Sequence, residues 1–111
     1  MPTQSYADTL KAATRENPEM ADQLFEDAIQ ALLAGEVDEG RILLRTHINA
    51  TIGFPALAEL TGKNAKSLMR MLGPDGNPTA NNLFDIIGQL GRAEGVTIEA
   101  RVMRAKEVAL G

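Results

Sequence analysis

The feature that most constrains the fold is a glycine, Gly62, placed between two short segments whose apolar residues recur at helical spacing. The first segment, PALAEL, has Pro55 in its first turn, where a helix tolerates proline. The second segment, NAKSLMRML, starts with Asn64, a residue that caps helices well. Only Thr61, Gly62 and Lys63 lie between them, so the sequence predicts two short helices that turn sharply on each other.

Longer apolar stripes before this pair also follow the helical period. A first short helix is predicted in SYADTLKAATREN, and a second begins at Asn17 and Pro18 and continues to Gly35. The stripe of this second helix consists of Met20, Leu24, Phe25, Ala28, Ile29, Leu32 and Leu33. A third helix is predicted in RILLRTHINATI, ending at Gly53, and its inner face carries Leu44, Ile48 and Ile52.

A last helix is predicted after the loop GPDGNP, because prolines and glycines at this density favour turns. Thr79 caps this helix, Gly91 or Gly95 ends it, and its inner stripe is Leu83, Ile86, Ile87 and Leu90. With 111 residues and 44% hydrophobic content, the chain is long enough for one domain with a core of its own. The sequence therefore predicts an all-α domain of five or six helices.

The segment that follows Gly95 changes its period. In VTIEARVM, apolar and polar residues alternate, which predicts a half-buried strand. A lone strand leaves its backbone groups unpaired, so it would pair with a second copy of itself or with another protein. The alternative is a terminal helix through EARVMRAKEVAL, since Ala, Arg, Met, Lys and Glu are good helix formers.

Composition narrows the classes of function. The chain has no cysteine, which excludes disulfides, a thiolate nucleophile and a cysteine-ligated metal. It shows neither a secretory leader nor a long apolar run, so we expect a soluble, cytoplasmic protein without a membrane partner. The net charge is −4, yet residues 1–52 hold nine acids and four bases, whereas residues 53–111 hold six acids and seven bases. The acid is concentrated away from the two short helices.

The pair of short helices meets the requirements of a helix-turn-helix. Such a unit needs a small residue inside the first helix, a glycine four residues later and apolar residues on the inner face of the second, here Ala58, Gly62, Leu68 and Met71. With these inward, the outward face of the second helix carries Asn64, Lys66, Met69 and Arg70. Residues 1–35 then supply leading helices, 36–95 the DNA-binding part, and 96–111 a strand or tail.

Arg70 is the strongest candidate for a base contact, because a guanidinium donates two parallel bonds to guanine, although a solvated arginine gives the same pattern. Asn64 has three possible roles: helix cap, phosphate contact or adenine contact. Lys66 and Ser67 are candidates for phosphate contacts, with a solvated face as the alternative.

Three further residues extend the candidate DNA-binding surface. Thr79 caps a helix whose free N–H groups also suit a phosphate, and Asn77 is either a phosphate contact or a turn residue. Lys63 stands where this unit commonly has an apolar residue, so either its stem runs along the core or the turn is altered.

Catalytic, metal and cofactor chemistry is not indicated. The one histidine, His47, lies inside a predicted helix without an acid or a nucleophile at pairing distance in sequence, which favours a structural or surface role. The acids scatter without the spacing of a metal loop, and GPDGNP lacks the lysine of a phosphate-binding loop. We therefore expect no enzyme, no metal and no cofactor.

Several motifs together resemble the addiction-module antidote family, small bacterial antitoxins with a phage-repressor-like helix-turn-helix. They are LAELTG, SLMRML, the DGNPT loop leading into LFDIIGQLG, and the terminal VTIEARV. Upstream, DQLFEDAIQALLAGEVDEGRILLRTHINATIG is similar to the leading helices of that family, so the resemblance covers residues 22–102. It implies that residues 64–72 form the recognition helix.

The resemblance also implies partners. Members of that family bind operator DNA as dimers, repress their own operon, and neutralise a small toxin that is usually an mRNA-cleaving enzyme. The expected function is thus a DNA-binding antitoxin-like repressor that forms a homodimer. Two alternatives remain open: a protein-interaction module of the same fold without DNA binding, and a helix-turn-helix regulator without a toxin partner.

Overall fold

A computed structural model describes residues 6–105 of the chain and contains six helices within that range. They are α1 (Tyr6–Glu16), α2 (Pro18–Leu33), α3 (Val37–Ala50), α4 (Gly53–Thr61), α5 (Ala65–Met71) and α6 (Ala80–Glu94). Helix α2 packs along α3, α1 contacts both of them, and α4 contacts α3, α5 and α6. The all-α fold expected from the sequence is confirmed.

One hydrophobic core joins the helices from α2 to α6. Its buried members are Phe25, Ala28, Leu44, Ile48, Phe54, Leu57, Leu68, Leu72, Ile86, Ile87 and Leu90. These positions follow the helical period within each element, and burying each large side chain is worth about 1.5–3 kcal/mol relative to exposing it. The two short helices around Gly62 are thus held by the same core as the longer ones.

Helix α2 begins where the sequence predicts but presents a slightly different face. The Asn17 side chain accepts a hydrogen bond from the N–H of Glu19 at 3.2 Å, and Pro18 occupies the first turn. The buried face consists of Ala21, Phe25, Ala28 and Ala31. The predicted stripe was therefore too wide at its ends, because Met20 and Leu33 are exposed.

Helix α3 ends earlier than predicted, at Ala50 rather than at Gly53. Thr51, with φ −117° and ψ −106°, leaves helical geometry, and its N–H bonds the carbonyl of Ile48 at 3.2 Å. Gly53 adopts a positive φ of 81° and begins α4 instead of ending α3. The two helices therefore meet at a tight corner, with the side chain of Ile52 packed against the core.

The segment after α6 forms neither helix nor strand through residue 105. The alternative of a terminal helix is wrong for residues 99–105, and its remaining residues, 106–110, lie outside the described range. The predicted strand requires a second chain to pair with, so that pairing stays a prediction. Within residues 96–105, Val96 packs against the core.

Candidate nucleic-acid interface

The turn between α4 and α5 has the geometry expected of a helix-turn-helix. Gly62 ends α4 in the left-handed conformation, with φ 71° and ψ 17°, and its N–H donates to the carbonyl of Ala58 at 2.9 Å. Leu57 before the turn and Leu68 after it are completely buried. The glycine therefore reverses the chain while apolar residues on both helices fix the second against the first.

Asn64 caps α5. Its side-chain oxygen accepts hydrogen bonds from the N–H groups of Lys66 at 2.8 Å and Ser67 at 3.2 Å. The capping role is thus confirmed among the three considered for this residue. Because the cap uses the side-chain oxygen, the amide N–H groups remain the part of Asn64 that can donate to a DNA acceptor.

The outward face of α5 carries two cations. Lys66 and Arg70 are exposed, Ser67 is half-buried, and Met69 is 42% exposed between them. Neither cation pairs with a carboxylate in the part of the chain that the structure describes. Their charge is therefore not neutralised within those residues, as a surface that meets phosphate or base edges requires.

Lys63 differs from these two cations. It is half-buried, and its ammonium group lies 3.4 Å from the carboxylate of Asp85 in α6. Of the two possibilities for this residue, a stem along the core or an altered turn, the left-handed Gly62 argues against the second. The pairing with Asp85 reduces what Lys63 offers to a negatively charged ligand.

The loop between α5 and α6 is fixed from two sides. Arg41, a buried arginine of α3, donates to the carbonyls of Pro74 and Gly76, each at 3.2 Å, and pairs with Asp38 at 2.9 Å. On the other side, a Cβ on Gly76 would overlap the carbonyl oxygens at the end of α5. The side chain of Arg41 and the close backbone approach at Gly76 therefore set the position of this loop relative to α5 together.

The remaining candidate residues, Asn77 and Thr79, lie in this loop just before α6. The hydroxyl of Thr79 accepts from the N–H of Asn82 at 3.1 Å, which confirms its capping role. Asn77, Thr79, Ala80 and Asn81 are exposed. The first N–H groups of α6 have no carbonyl partner within the helix, so those that Thr79 does not cap can donate to a phosphate oxygen.

Sequence reasoning missed the burial of Arg41 and the pairing of His47. Arg41 gave no signal beyond a basic residue in a predicted helix. His47 is completely buried, stacks on Phe25 with ring centroids 4.7 Å apart, and approaches the Glu94 carboxylate at 2.6 Å. Because Glu94 lies 47 positions further along the chain, no local pattern could reveal this pair. Of the two roles considered for His47, structural and surface, its burial favours the structural one.

The acidic residues within 6–105 do not assemble a metal site. No group of three His, Cys, Asp or Glu side chains that could hold a metal occurs among the described residues. At the start of α3, a hydrogen bond with Glu36 and then repulsion between the two carboxylates raise the pKa of Glu39 above its usual value.

No helix within residues 6–105 has both the length and the apolar character needed to cross a membrane.

Comparison with known proteins identifies no relative of this chain. No protein-family model matches the chain, and no curated protein or solved structure is significantly similar to it.

Proposed function

We propose that this chain is a DNA-binding repressor of the antitoxin kind, which binds its operator through α5. The observation that carries the proposal is the combination of a left-handed Gly62 with a buried Leu68 and two unneutralised cations on the opposite face of α5. Such a unit places the second helix in the major groove while the first braces it. The motif resemblance described above, which rests partly on the same residues, also favours it.

In this mechanism two copies bind together. Each inserts α5 into the major groove, at half-sites about 34–36 Å apart or a multiple of that spacing, and the bound dimer excludes polymerase from the promoter. Two copies supply four cations from α5, Lys66 and Arg70 from each. This doubling matters because seven residues of helix carry little charge on their own.

The roles of the side chains follow from their positions. Arg70 reads a guanine, since a guanidinium donates to both acceptors of its major-groove edge. Lys66 and Ser67 contact phosphates, and the exposed α6 start with Asn77 and Thr79 contacts another. Asn64 caps α5 and offers its amide to a base or phosphate. Lys63 contributes least, because Asp85 already neutralises it.

The second part of the proposal is a toxin partner. Residues 1–52 carry nine acids and four bases, so α1, α2 and α3 present a negative surface. Such a surface would steer a basic protein toward it, and an enzyme that cleaves mRNA commonly has a basic surface. Both the operator and a toxin of this class place the protein in the cytoplasm.

A reporter experiment tests the repressor. The DNA upstream of the gene drives a reporter in cells that express the wild-type chain or the Arg70→Ala variant. We expect repression by the wild type and its loss in Arg70→Ala at equal protein level. Full repression by Arg70→Ala would refute the role of α5, and no repression by either protein would refute the repressor.

The toxin is tested separately. The product of a small reading frame beside this one is co-expressed with the tagged chain and purified on the tag. Co-purification together with rescue of growth supports the antitoxin role. If such a product neither binds nor slows growth, or if no such frame exists, the chain is a regulator without a toxin.

One observation favours a second candidate, an interaction module that has kept the fold without binding DNA. Lys63 is paired with Asp85, so the cations that α5 itself offers to DNA are Lys66 and Arg70. In that case the chain binds a protein through its acidic helices. Equal affinity for native and scrambled duplexes distinguishes this candidate from the repressor.

A further inference from the structure

A groove of about 810 Å³ lies between α2 and the segment that follows α6. Helix α2 contributes apolar residues such as Ile29 and Leu33, and the segment contributes Val96 to Arg101 and Met103. Several of these side chains are large, apolar and exposed, with Leu33 at 71% and Met103 at 75%. An apolar surface of this kind on a small domain marks a place where something binds.

The segment beside the groove has unpaired backbone groups. The N–H of Val96 donates to the carbonyl of Gly91 at 3.0 Å, and Ile98 lies close to Gly91 as well. Beyond Val96, residues 97–105 make no backbone hydrogen bond to any other described residue. A segment with free N–H and C=O groups and alternating side chains is a template for another strand.

We propose that the occupant of this groove is the same segment of a second copy, paired antiparallel and centred on Ala100. In that register Glu99 of each copy faces Arg101 of the other, and Ile98 faces Val102. This pairing involves only the two protein chains. It can be tested without DNA, so it stands or falls independently of the proposed repressor.

Charge selects this register from its neighbours. Centring the pair on Ala100 makes two opposite-charge pairs across the strands, and such pairs stabilise a sheet. Moving the centre by one residue in either direction places Glu99 opposite Glu99 or Arg101 opposite Arg101, and like charges directly opposite are destabilising. The segment is therefore complementary to itself in one antiparallel register.

The apolar face leads to the same register. Ile98, Ala100 and Val102 share one side of an extended chain, and Ile98 lies against α6. Val102 is 99% exposed and has no cover within the described residues. Pairing about Ala100 brings Val102 of the second copy beside Ile98, so the body of each chain covers the exposed valine of the other.

Single cysteines test the register directly, because the chain has none of its own. In Ala100→Cys the two sulfurs face each other across the dyad, within the Cα separation of about 4.4–6.8 Å that a disulfide needs. In Val102→Cys the equivalent residues lie four positions apart along the strands, about 13 Å, which is too far.

We expect mild oxidation to convert Ala100→Cys to a covalent dimer and to leave Val102→Cys largely monomeric on a non-reducing gel. Equal cross-linking of the two variants, or cross-linking of Val102→Cys alone, would overturn the register. A wild-type chain that stays monomeric at high concentration in sedimentation equilibrium would overturn the pairing itself.

Charge reversal gives a second test with a built-in rescue. Glu99→Arg alone and Arg101→Glu alone each place like charges opposite one another twice, and we expect each to weaken dimerisation by roughly tenfold or more. Mixing the two variants restores both opposite-charge pairs in a mixed dimer. Wild-type dimerisation of either variant, or failure of the mixture to recover while circular dichroism shows both folded, would overturn the proposal.

Discussion

Arg41 in α3 binds the main chain of the loop before α6, because its guanidinium donates to the carbonyls of Pro74 and Gly76 at 3.2 Å each. The two groups that accept these bonds lie more than thirty positions away in sequence. This contact connects the leading helices to the start of α6, and it therefore joins the acidic half of the chain to the candidate DNA-binding half.

Replacing Arg41 tests that connection. Arg41→Met keeps an apolar stem but removes the donors, so we expect a loss of about 1–3 kcal/mol in the free energy of unfolding. Hydrogen exchange at the amide of Gly76, which bonds the carbonyl of Gly73, should become faster. Arg92→Met, which replaces an exposed arginine of α6, is the control. Equal stability of the two variants would show that the contact with the loop contributes nothing.

Two glycines in different backbone conformations should respond oppositely to alanine. Gly62 has a φ of 71°, which an alanine adopts at a cost of about 1–2 kcal/mol, so Gly62→Ala should be destabilised by that amount. Gly88 lies inside α6 with open space at its Cβ position, and Gly88→Ala should gain about 0.5–1 kcal/mol. Urea denaturation measures both. Destabilisation of Gly88→Ala or a neutral Gly62→Ala would contradict the assigned backbone geometry.

Neighbouring residues of α5 should separate its buried face from its exposed one. Leu68 is completely buried, and Leu68→Ala should cost about 2–5 kcal/mol through lost contacts and a cavity. Met69, the next residue, is largely outward, and Met69→Ala should stay within about 0.5 kcal/mol of the wild type. Thermal melts that give the two variants similar midpoints would mean that the faces of α5 are assigned wrongly.

The buried pair of His47 and Glu94 should contribute to stability. The Nε2 atom of the His47 ring contacts the Glu94 carboxylate, whereas the other ring nitrogen, Nδ1, has no hydrogen-bond partner among the described residues. Removing the carboxylate in Glu94→Ala would therefore leave both ring nitrogens unsatisfied. We expect a loss of about 1–3 kcal/mol, with Glu94→Gln losing less because an amide still bonds the ring. Glu59→Ala, an exposed acid in α4, is the control. A melt of Glu94→Ala that matches this control would remove the pair from the account of stability.

Much of the fold was predictable because its determinants are local. Asn17, Asn64 and Thr79 each cap the helix that the sequence assigned to them, and Gly62 and Gly95 take the left-handed conformation at helix ends. These signals depend on residues within one turn of each other. The end of α3 was missed for the opposite reason, since a glycine such as Gly53 can begin a turn as well as end a helix.

The polar contacts between residues distant in sequence were not predictable. Lys63 pairs with Asp85 across 22 positions, and His47 pairs with Glu94 across 47. Such pairs depend on how helices pack, and helical periodicity fixes only which face each residue occupies. The candidate interface was reached from the sequence because its residues lie on one short helix and one loop. The reduced role of Lys63 emerged only from the tertiary structure.

The most direct measurement is a fluorescence-anisotropy titration of the folded protein against DNA from its own upstream region, beside a scrambled duplex, at several salt concentrations. We expect salt-sensitive binding that prefers the native duplex, and a loss of about 1–3 kcal/mol in Arg70→Ala. Arg15→Ala, which removes one exposed positive charge from α1, should bind as the wild type does. Equal affinity for the two duplexes at low salt, or unchanged affinity in a folded Arg70→Ala, would contradict recognition of DNA through α5.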